Sequence, residues 1–500
     1  MDCGTRAGQG VKRLEQYDVI IIGGGVIGCA IACELSKYQL DIAVLEQASD
    51  VAAGTSGRNS AVVHAGFNNK SGSLMAKLCV EGSQGFAALC GELGVPYQKT
   101  GKYVVAFDDE DTGILERLIQ QGTRNGVRGL RMAGAEELWE NIPHVGGICA
   151  MHSPETAIIN PFLYTIALAE TAAENGVHFY FEHRVESVRK SFSGYQVTAG
   201  GQTFQAKYLI NCAGLHSGEI ADMIGVHGFR IYPCKGEYFI LDKVTSQLLS
   251  VPVYPAPKPG IGGLGVHLTP TTDGNLLIGP SAEYIEDTED YASTAPVMDK
   301  LFSEAKQLLP ALEHRHIIGS YCGNRAKLAP PKEGGFRDFV IQEFPEVPGA
   351  IHLLGIESPG LTSSMPIARM VAGMLAEHEP LTPKKSWHLR KRAKARFHEL
   401  PLEEQKRLVV EDPDYGEIIC RCEQITKREI KDAIENPLGV KTISGIKYRC
   451  RATTGRCQGG YCLTRIADIF IREYGLTPEE ITTRGGGSHL FEGFLREVSQ

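Results

Sequence analysis

Val19-Ile-Ile-Ile-Gly23-Gly-Gly25-Val-Ile-Gly28 is the stretch that decides the fold of this chain. The apolar run from Tyr17 to Ile22, bounded by glycines, has the composition of a strand buried on both faces of a parallel sheet. Gly23 permits a tight turn, Gly25 lets the backbone approach a pyrophosphate, and Gly28 lets the next helix pack closely on the strand. The helix runs through Ile31 and Leu35 to Tyr38, and a second strand, residues 41–45, ends in Glu46. That acid stands 18 residues after Gly28, where a partner for a ribose hydroxyl belongs. A glycine triplet alone is weak evidence. Strand, glycines, helix, strand and terminal acid within about thirty residues specify a dinucleotide-binding unit of Rossmann type, and hence an α/β fold.

Three later segments bear on which dinucleotide is bound. Ala53-Gly-Thr55-Ser56-Gly-Arg-Asn-Ser60 offers small residues and hydroxyls for contacts to phosphate and to a flavin ring. Tyr208-Leu-Ile-Asn-Cys-Ala213-Gly214 is another short strand ending at a glycine. Gly355-Ile-Glu-Ser-Pro-Gly360-Leu361-Thr362-Ser-Ser364 leads into an apolar helix over 367–375, and its start would aim free N–H groups and a positive dipole end at a bound group. Reduced flavin carries negative charge that such a start would stabilise, although the same residues also make an ordinary helix cap.

Composition sets the outer limits. A chain of 500 residues has room for two or three domains and a large core. With 43% hydrophobic and 22% charged residues it reads as an ordinary globular protein. The net charge of -8 leaves no electrostatic footprint for nucleic acid or an anionic membrane. Residues 1–16 lack the apolar core of a secretory signal, and the longest apolar run, 19–35, is broken by glycines and Glu34, so no transmembrane segment is expected. Fourteen cysteines without a secretion signal are expected to be mostly reduced, in a cytoplasmic protein.

Four of those cysteines form a pattern: Cys420-x-Cys422, then 34 residues, then Cys457-x4-Cys462. The first pair ends a short strand, and a helix follows over 426–434 with Thr426 and Glu429 spaced as a capping box. The second pair closes a glycine-rich loop that runs into an apolar-faced helix over 463–474. Two thiolate pairs brought together hold a [2Fe–2S] cluster or, equally well, a zinc ion. A flavin upstream gives a one-electron cluster a role that zinc would lack. Cys450 falls outside the paired spacing and reads as a spare thiol.

The motifs together resemble the FAD-dependent D-amino-acid-oxidase superfamily over roughly residues 17–378. Within it, His64-Ala-Gly-Phe, Ser73-Leu-Met-Ala-Lys-Leu-Cys79, Gly101-Lys-Tyr-Val-Val-Ala106, Pro233-Cys-Lys-Gly-Glu-Tyr238, Tyr254-Pro-Ala-Pro257 and Leu264-Gly-Val-His-Leu-Thr269 resemble L-2-hydroxyglutarate dehydrogenases. The same core also resembles FAD-dependent glycerol-3-phosphate dehydrogenases of the anaerobic type, which share the cysteine domain. About residues 415–475 resemble the bacterioferritin-associated ferredoxin (BFD) type of [2Fe–2S] module. The resemblance implies an FAD oxidoreductase unit over 17–380 with an α+β substrate subdomain interleaved at about 89–140 and 228–325. A linker at 381–412, whose basic run from Lys384 to Arg396 reads as a solvated helix, would lead to a BFD-like domain at 413–480 and a tail at 481–500.

Oxidation of an alcohol by a flavin needs a base for the hydroxyl proton and a cation for an anionic end of the substrate. His64 and His267 are the candidate bases, each equally at home as a hydrogen-bonded core group. Arg325 matches the arginine that the superfamily keeps near its flavin, with a surface salt bridge as its other reading, and Lys235 and Tyr254 are further pocket candidates. The expected cofactor contacts are Gly23, Gly25, Gly28, Glu46, Thr55, Ser56, Ala213, Gly214, Gly360, Leu361 and Thr362, and the expected cluster ligands are Cys420, Cys422, Cys457 and Cys462. The cysteine domain favours glycerol 3-phosphate as the small anionic alcohol oxidised. L-2-Hydroxyglutarate is the second reading, and an amino-acid oxidoreductase or non-catalytic flavin-binding subunit the third. An electron-accepting flavoprotein subunit or carrier is the expected partner, and any membrane association would be peripheral and through that partner.

Overall fold

The computed structural model describes residues 15–143, 145–257, 265–391 and 396–493. Of the stretches read above, residues 1–14, Leu264, residues 392–395 of the basic run and residues 494–500 of the tail lie outside the described residues.

Strand Glu15–Ile22 lies inside an eight-stranded sheet, bonded in parallel to Ile42–Leu45 on one side and to Gln202–Asn211 on the other. Ala350–Leu354 continues the parallel order beyond Gln202–Asn211. The registers align Ile22 with Leu45 and Asn211, and Asn211 with His352. Gly23, Glu46, Cys212–Gly214 and Gly355 therefore all leave the carboxyl ends of adjacent strands at one edge, the position at which parallel α/β sheets bind ligands. Val19, Ile20 and Ile21 are fully buried, as their unbroken apolar run requires. Helices Val26–Leu35, Leu74–Leu93, Pro161–Glu174 and Gly360–Ala376 pack into one continuous core on one side of the sheet. The first of them closes at Leu35, short of Tyr38, where the Ser36 hydroxyl turns back onto the carbonyl of Cys33 at 2.7 Å.

A second, nine-stranded sheet takes its strands from residues 103–152 and 232–327. Its spine is the antiparallel pair Tyr232–Leu241 and Ile317–Lys327, and Phe239 to Leu241 face Leu276 to Ile278 on the next strand. The first expected insertion, 89–140, begins inside helix Leu74–Leu93, which packs on the nucleotide layer, and stops before Cys149–His152. That strand is part of the second sheet because it sits between Tyr103–Ala106 and Arg131–Gly134.

The cysteine domain pairs Ile418–Cys420 with Ile425–Thr426 and packs helices Lys427–Ile434, Ile443–Cys450 and Leu463–Tyr474 around Ile430, Ile446, Ile466 and Phe470. Thr426 and Glu429 form the reciprocal capping box their spacing predicts. The described residues of the basic run after Pro383 form no helix. They are extended along the nucleotide layer, where the Lys384 N–H donates to the Lys37 carbonyl, Trp387 Nε1 donates to Ser36 Oγ, and Arg390 pairs with Glu170 and Glu174. Fixed acceptors across the surface outcompete the internal ladder that a solvated helix would form. Among the described residues no helix is long and apolar enough to cross a membrane.

The cysteine domain docks on both other layers. Arg449 makes a two-pronged ion pair with Asp50 at 2.6 and 3.1 Å, and both residues are buried. Arg451 bonds Asp273 and Asn275 of the second sheet as well as Glu423 of its own domain, and Tyr448 stacks on Phe162 at 4.0 Å. Arg449→Met should strand a buried carboxylate and destabilise the chain by about 3 kcal/mol, measured by urea unfolding. Adding Asp50→Leu should recover most of that loss, and a double variant as unstable as the single one would contradict the pairing.

Candidate active site

A cavity of about 730 Å³ opens at the carboxyl edge of the nucleotide sheet and runs to the second sheet. The first part of its wall is the dinucleotide turn. Gly23 has φ of +108°, and a Cβ there would lie 2.6 Å from the Cys212 carbonyl oxygen. A Cβ on Gly28 would lie 2.0 Å from the carbonyl oxygen of Gly23, so only glycine lets the helix start this close to the strand. Gly28 thus shapes the turn from behind and does not line the cavity, whereas Gly23, Gly25, Glu46, Thr55 and Ser56 do. Ser56 Oγ accepts from the Val26 N–H at 2.9 Å, and the Glu46 carboxylate accepts from the N–H groups of Gly24 and Ala48. Ala213, Gly214, Gly360 and Leu361 close the same wall. Thr362 stands one layer back, its hydroxyl accepting the backbone N–H of His64 at 2.9 Å. A helix start with a glycine at its N-cap, glycines where the backbone must come close, and an acid at the ribose position fit FAD.

His64, Tyr254, His267 and Arg325 line the far part of the cavity. The ring of His64 lies deep among protein atoms, with Nε2 3.2 Å from Ser358 Oγ. Burial, reinforced by the ammonium of Lys102, pulls its pKa down to about 3, so it is neutral at physiological pH. His267 is likewise pushed well below the ordinary histidine value, first by burial and then by Lys102. Its Nδ1–H donates to the Gly265 carbonyl at 3.0 Å, which leaves Nε2 as the acceptor facing the Ser60 hydroxyl at 3.2 Å. Tyr254 stacks on the His267 ring at 3.7 Å, with its buried hydroxyl towards Thr269. Arg325 donates to the Ser281 carbonyl at 3.2 Å and has no ion-pair partner among the described residues, so its charge is available to an anion entering the cavity. Lys235 does not reach the cavity. Its ammonium pairs with Asp290 at 2.9 Å and lies 3.9 Å from Glu237.

Lys102 is the residue that sequence reasoning passed over. Its side chain is 1% exposed, with the ammonium 3.9 Å from the centre of the Tyr254 ring and 4.6 Å from that of Phe67. A lone charge in the apolar stretch Tyr103–Ala106 and its approach was the available signal. A second such feature is the buried pair of Lys327 with Glu357 at 2.9 Å, which fixes the loop ahead of Gly360.

The thiols of the cysteine domain stand as two pairs, Cys420 with Cys462 and Cys422 with Cys457. Among the described residues no three metal-binding side chains converge on one point. Four thiols in two pairs match a two-iron centre, whose metals each take two thiolates. The Cys462 thiol and the backbone N–H groups of Thr453 and Glu423 favour a thiolate at Cys420, and those of Tyr461 and Gly459 do so at Cys457. Gly455 sits against Cys422, where a Cβ would come within 2.3 Å of the cysteine Cβ. Cys450, outside both pairs, is half-buried, and loss of solvent around the thiol pushes it up to about 12.

Residues 18–374 match the family model "FAD dependent oxidoreductase". The chain belongs to this family. Residues 418–472 of the oxidoreductase match "BFD-like [2Fe-2S] binding domain", so its cofactors are FAD and a [2Fe–2S] cluster. It is 38% identical to a glycerol 3-phosphate dehydrogenase of Caloramator mitchellensis over 95% of this chain and 98% of that protein. It is 32% identical to the mitochondrial L-2-hydroxyglutarate dehydrogenase of Caenorhabditis elegans over 72% of this chain and 93% of the other. Among solved structures, the FAD-bound reduced L-alpha-glycerophosphate oxidase of Mycoplasma pneumoniae superposes with a TM-score of 0.71 at 30% identity, covering 76% of this chain and 99% of that one.

Burial holds the Lys102 ammonium at about 7, below the ordinary 10.5. Between those values the unfolded oxidoreductase binds more protons than the folded one, so folding stability rises with pH across that window. Lys102→Met should therefore stabilise the protein near pH 7, with a gain that fades towards about pH 10. Urea unfolding at both pH values measures it, and a constant gain would contradict a depressed lysine.

Proposed function

We propose that this oxidoreductase oxidises sn-glycerol 3-phosphate to dihydroxyacetone phosphate and delivers the electrons one at a time to a protein partner or carrier. The observation that carries the substrate is the extent of the likeness to the Caloramator glycerol 3-phosphate dehydrogenase, which runs through the cysteine domain as well as the flavin unit. The likeness to the nematode L-2-hydroxyglutarate dehydrogenase spans a smaller share of the chain. That second reading rests on the same cavity, since one guanidinium grips a carboxylate as readily as a phosphate.

Bound FAD supplies the acceptor for the substrate's hydride, and the cluster supplies a one-electron carrier. The chain's own residues do the rest. Arg325 holds the anionic end of the substrate. A neutral imidazole, His64 or His267, takes the hydroxyl proton, and Ser358 and Ser60 hold those rings in place. Tyr254, which lines the same cavity, is placed to bond the same substrate. The acceptor is an electron-accepting flavoprotein subunit or small carrier, and the compartment is the cytoplasm.

Anaerobic titration of the holoenzyme separates the readings. sn-Glycerol 3-phosphate is expected to bleach the flavin, with L-2-hydroxyglutarate, L-lactate and amino acids leaving it oxidised. Bleaching by L-2-hydroxyglutarate alone would assign the other substrate. Replacing Cys457 and Cys462 by serine should leave bleaching intact and abolish reduction of the protein acceptor. Acceptor reduction at the parental rate would take the cluster off the route.

A further inference from the structure

Beyond the last helix of the iron–sulfur domain the chain returns to the dinucleotide cavity. Ile481 is fully buried in the domain core, and the N–H groups of Ile443 and Ser444 donate to the carbonyls of Thr482 and Thr483 at 3.1 and 3.0 Å. The turn that follows is thereby fixed to the start of helix Ile443–Cys450. Its outer side is fixed to the nucleotide layer. Ser49 Oγ donates to the Arg484 carbonyl at 2.5 Å, and the Gly486 N–H donates to Glu182 Oε1 at 2.6 Å. Gly485 has φ of +82°, and a Cβ there would lie 2.5 Å from that of Ser49. Ser49 and Glu182 flank the ribose acid, because the Glu182 N–H bonds the Ala48 carbonyl and the His183 N–H bonds that of Glu46.

Arg484 lines the dinucleotide cavity beside Glu46, Gln47 and His183, although it lies outside both segments matched by family models. Arg58 lines the same cavity, and Lys447 of the iron–sulfur domain lies near both arginines. Neither Arg484 nor Lys447 has a carboxylate partner among the described residues. Arg484 thus brings a cation of the iron–sulfur domain to the part of the wall that carries the ribose acid Glu46, where the adenosine end of a dinucleotide belongs.

We infer that residues 482–488 belong to the FAD site: Arg484 closes the adenosine end of the cavity from the iron–sulfur domain, so that FAD binding and docking of that domain are coupled. The coupling is reciprocal: whatever docking adds to FAD affinity, FAD adds to docking. The inference is independent of which alcohol is oxidised.

Arg484→Ala in the full-length protein is expected to raise the FAD dissociation constant about 10-fold, read from flavin fluorescence released on dilution, with the visible absorbance of the cluster unchanged. Gly485→Val, which forces the turn off Ser49, is expected to lose affinity likewise, and Arg484→Lys to retain most of it. In hydrogen exchange, the amides of helix Ile443–Cys450 should exchange faster in FAD-free than in FAD-loaded protein. Parental FAD affinity in both Arg484→Ala and Gly485→Val would overturn the role of the turn. Equal exchange with and without FAD would overturn the coupling.

Discussion

The approach of Gly28 to the carbonyl of Gly23 is the constraint on which the rest depends. With 2.0 Å left for a Cβ, the helix Val26–Leu35 can begin where it does only because no side chain is present. That closeness brings the first turn of the helix, the Glu46 strand end and the Ser56 hydroxyl to one wall. The other segments lining the cavity arrive because their strands run parallel and in register with Glu15–Ile22, so each exits at the same edge. A single unfavourable atom at Gly28 would separate elements drawn from several hundred residues of sequence.

The second organising effect is charge imbalance in a low-dielectric space. Arg325 and Lys102 lie among aromatic rings and neutral imidazoles, and among the described residues no carboxylate forms an ion pair with either. In such surroundings a cation is costly unless something anionic compensates it. The same cations disfavour protonation of His64 and His267, so the rings stay able to accept a proton. Neutral imidazoles and a guanidinium free to meet an anion thus share one cavity through one electrostatic arrangement.

The iron–sulfur domain is held to the flavin unit by specific polar pairs together with the stack of Phe162 on Tyr448 and the packing of Leu438 on the nucleotide core. Asp50 and Arg449 pair beneath the flavin loop, and Asp273 receives both Arg396 and Arg451 at the second sheet. Phe162 touches both units, since a Cβ on Gly57 of the flavin loop would meet its ring at 2.4 Å. The seam therefore joins the domain to the loops that hold the cofactor, and a change in one is felt by the other.

The sequence by itself determined the nucleotide unit, the iron–sulfur domain with its two thiol pairs, and most of the cavity lining, because each of these is written in local spacing. A glycine needed for a turn, an acid at a strand end and a capping box all act over a few residues, and their physics is visible in the order of the chain. The extended path of the basic run after Pro383 was not legible, since its acceptors, Lys37, Ser36, Glu170 and Glu174, are remote in sequence. Nor was the diversion of Lys235 to Asp290, nor the isolation of Lys102, which looks like an ordinary surface lysine until Phe67 and Tyr254 close over it. Only the tertiary structure decided which charges were paired and which were left for a ligand, because Coulomb energy depends on distance through space and on the dielectric that packing creates.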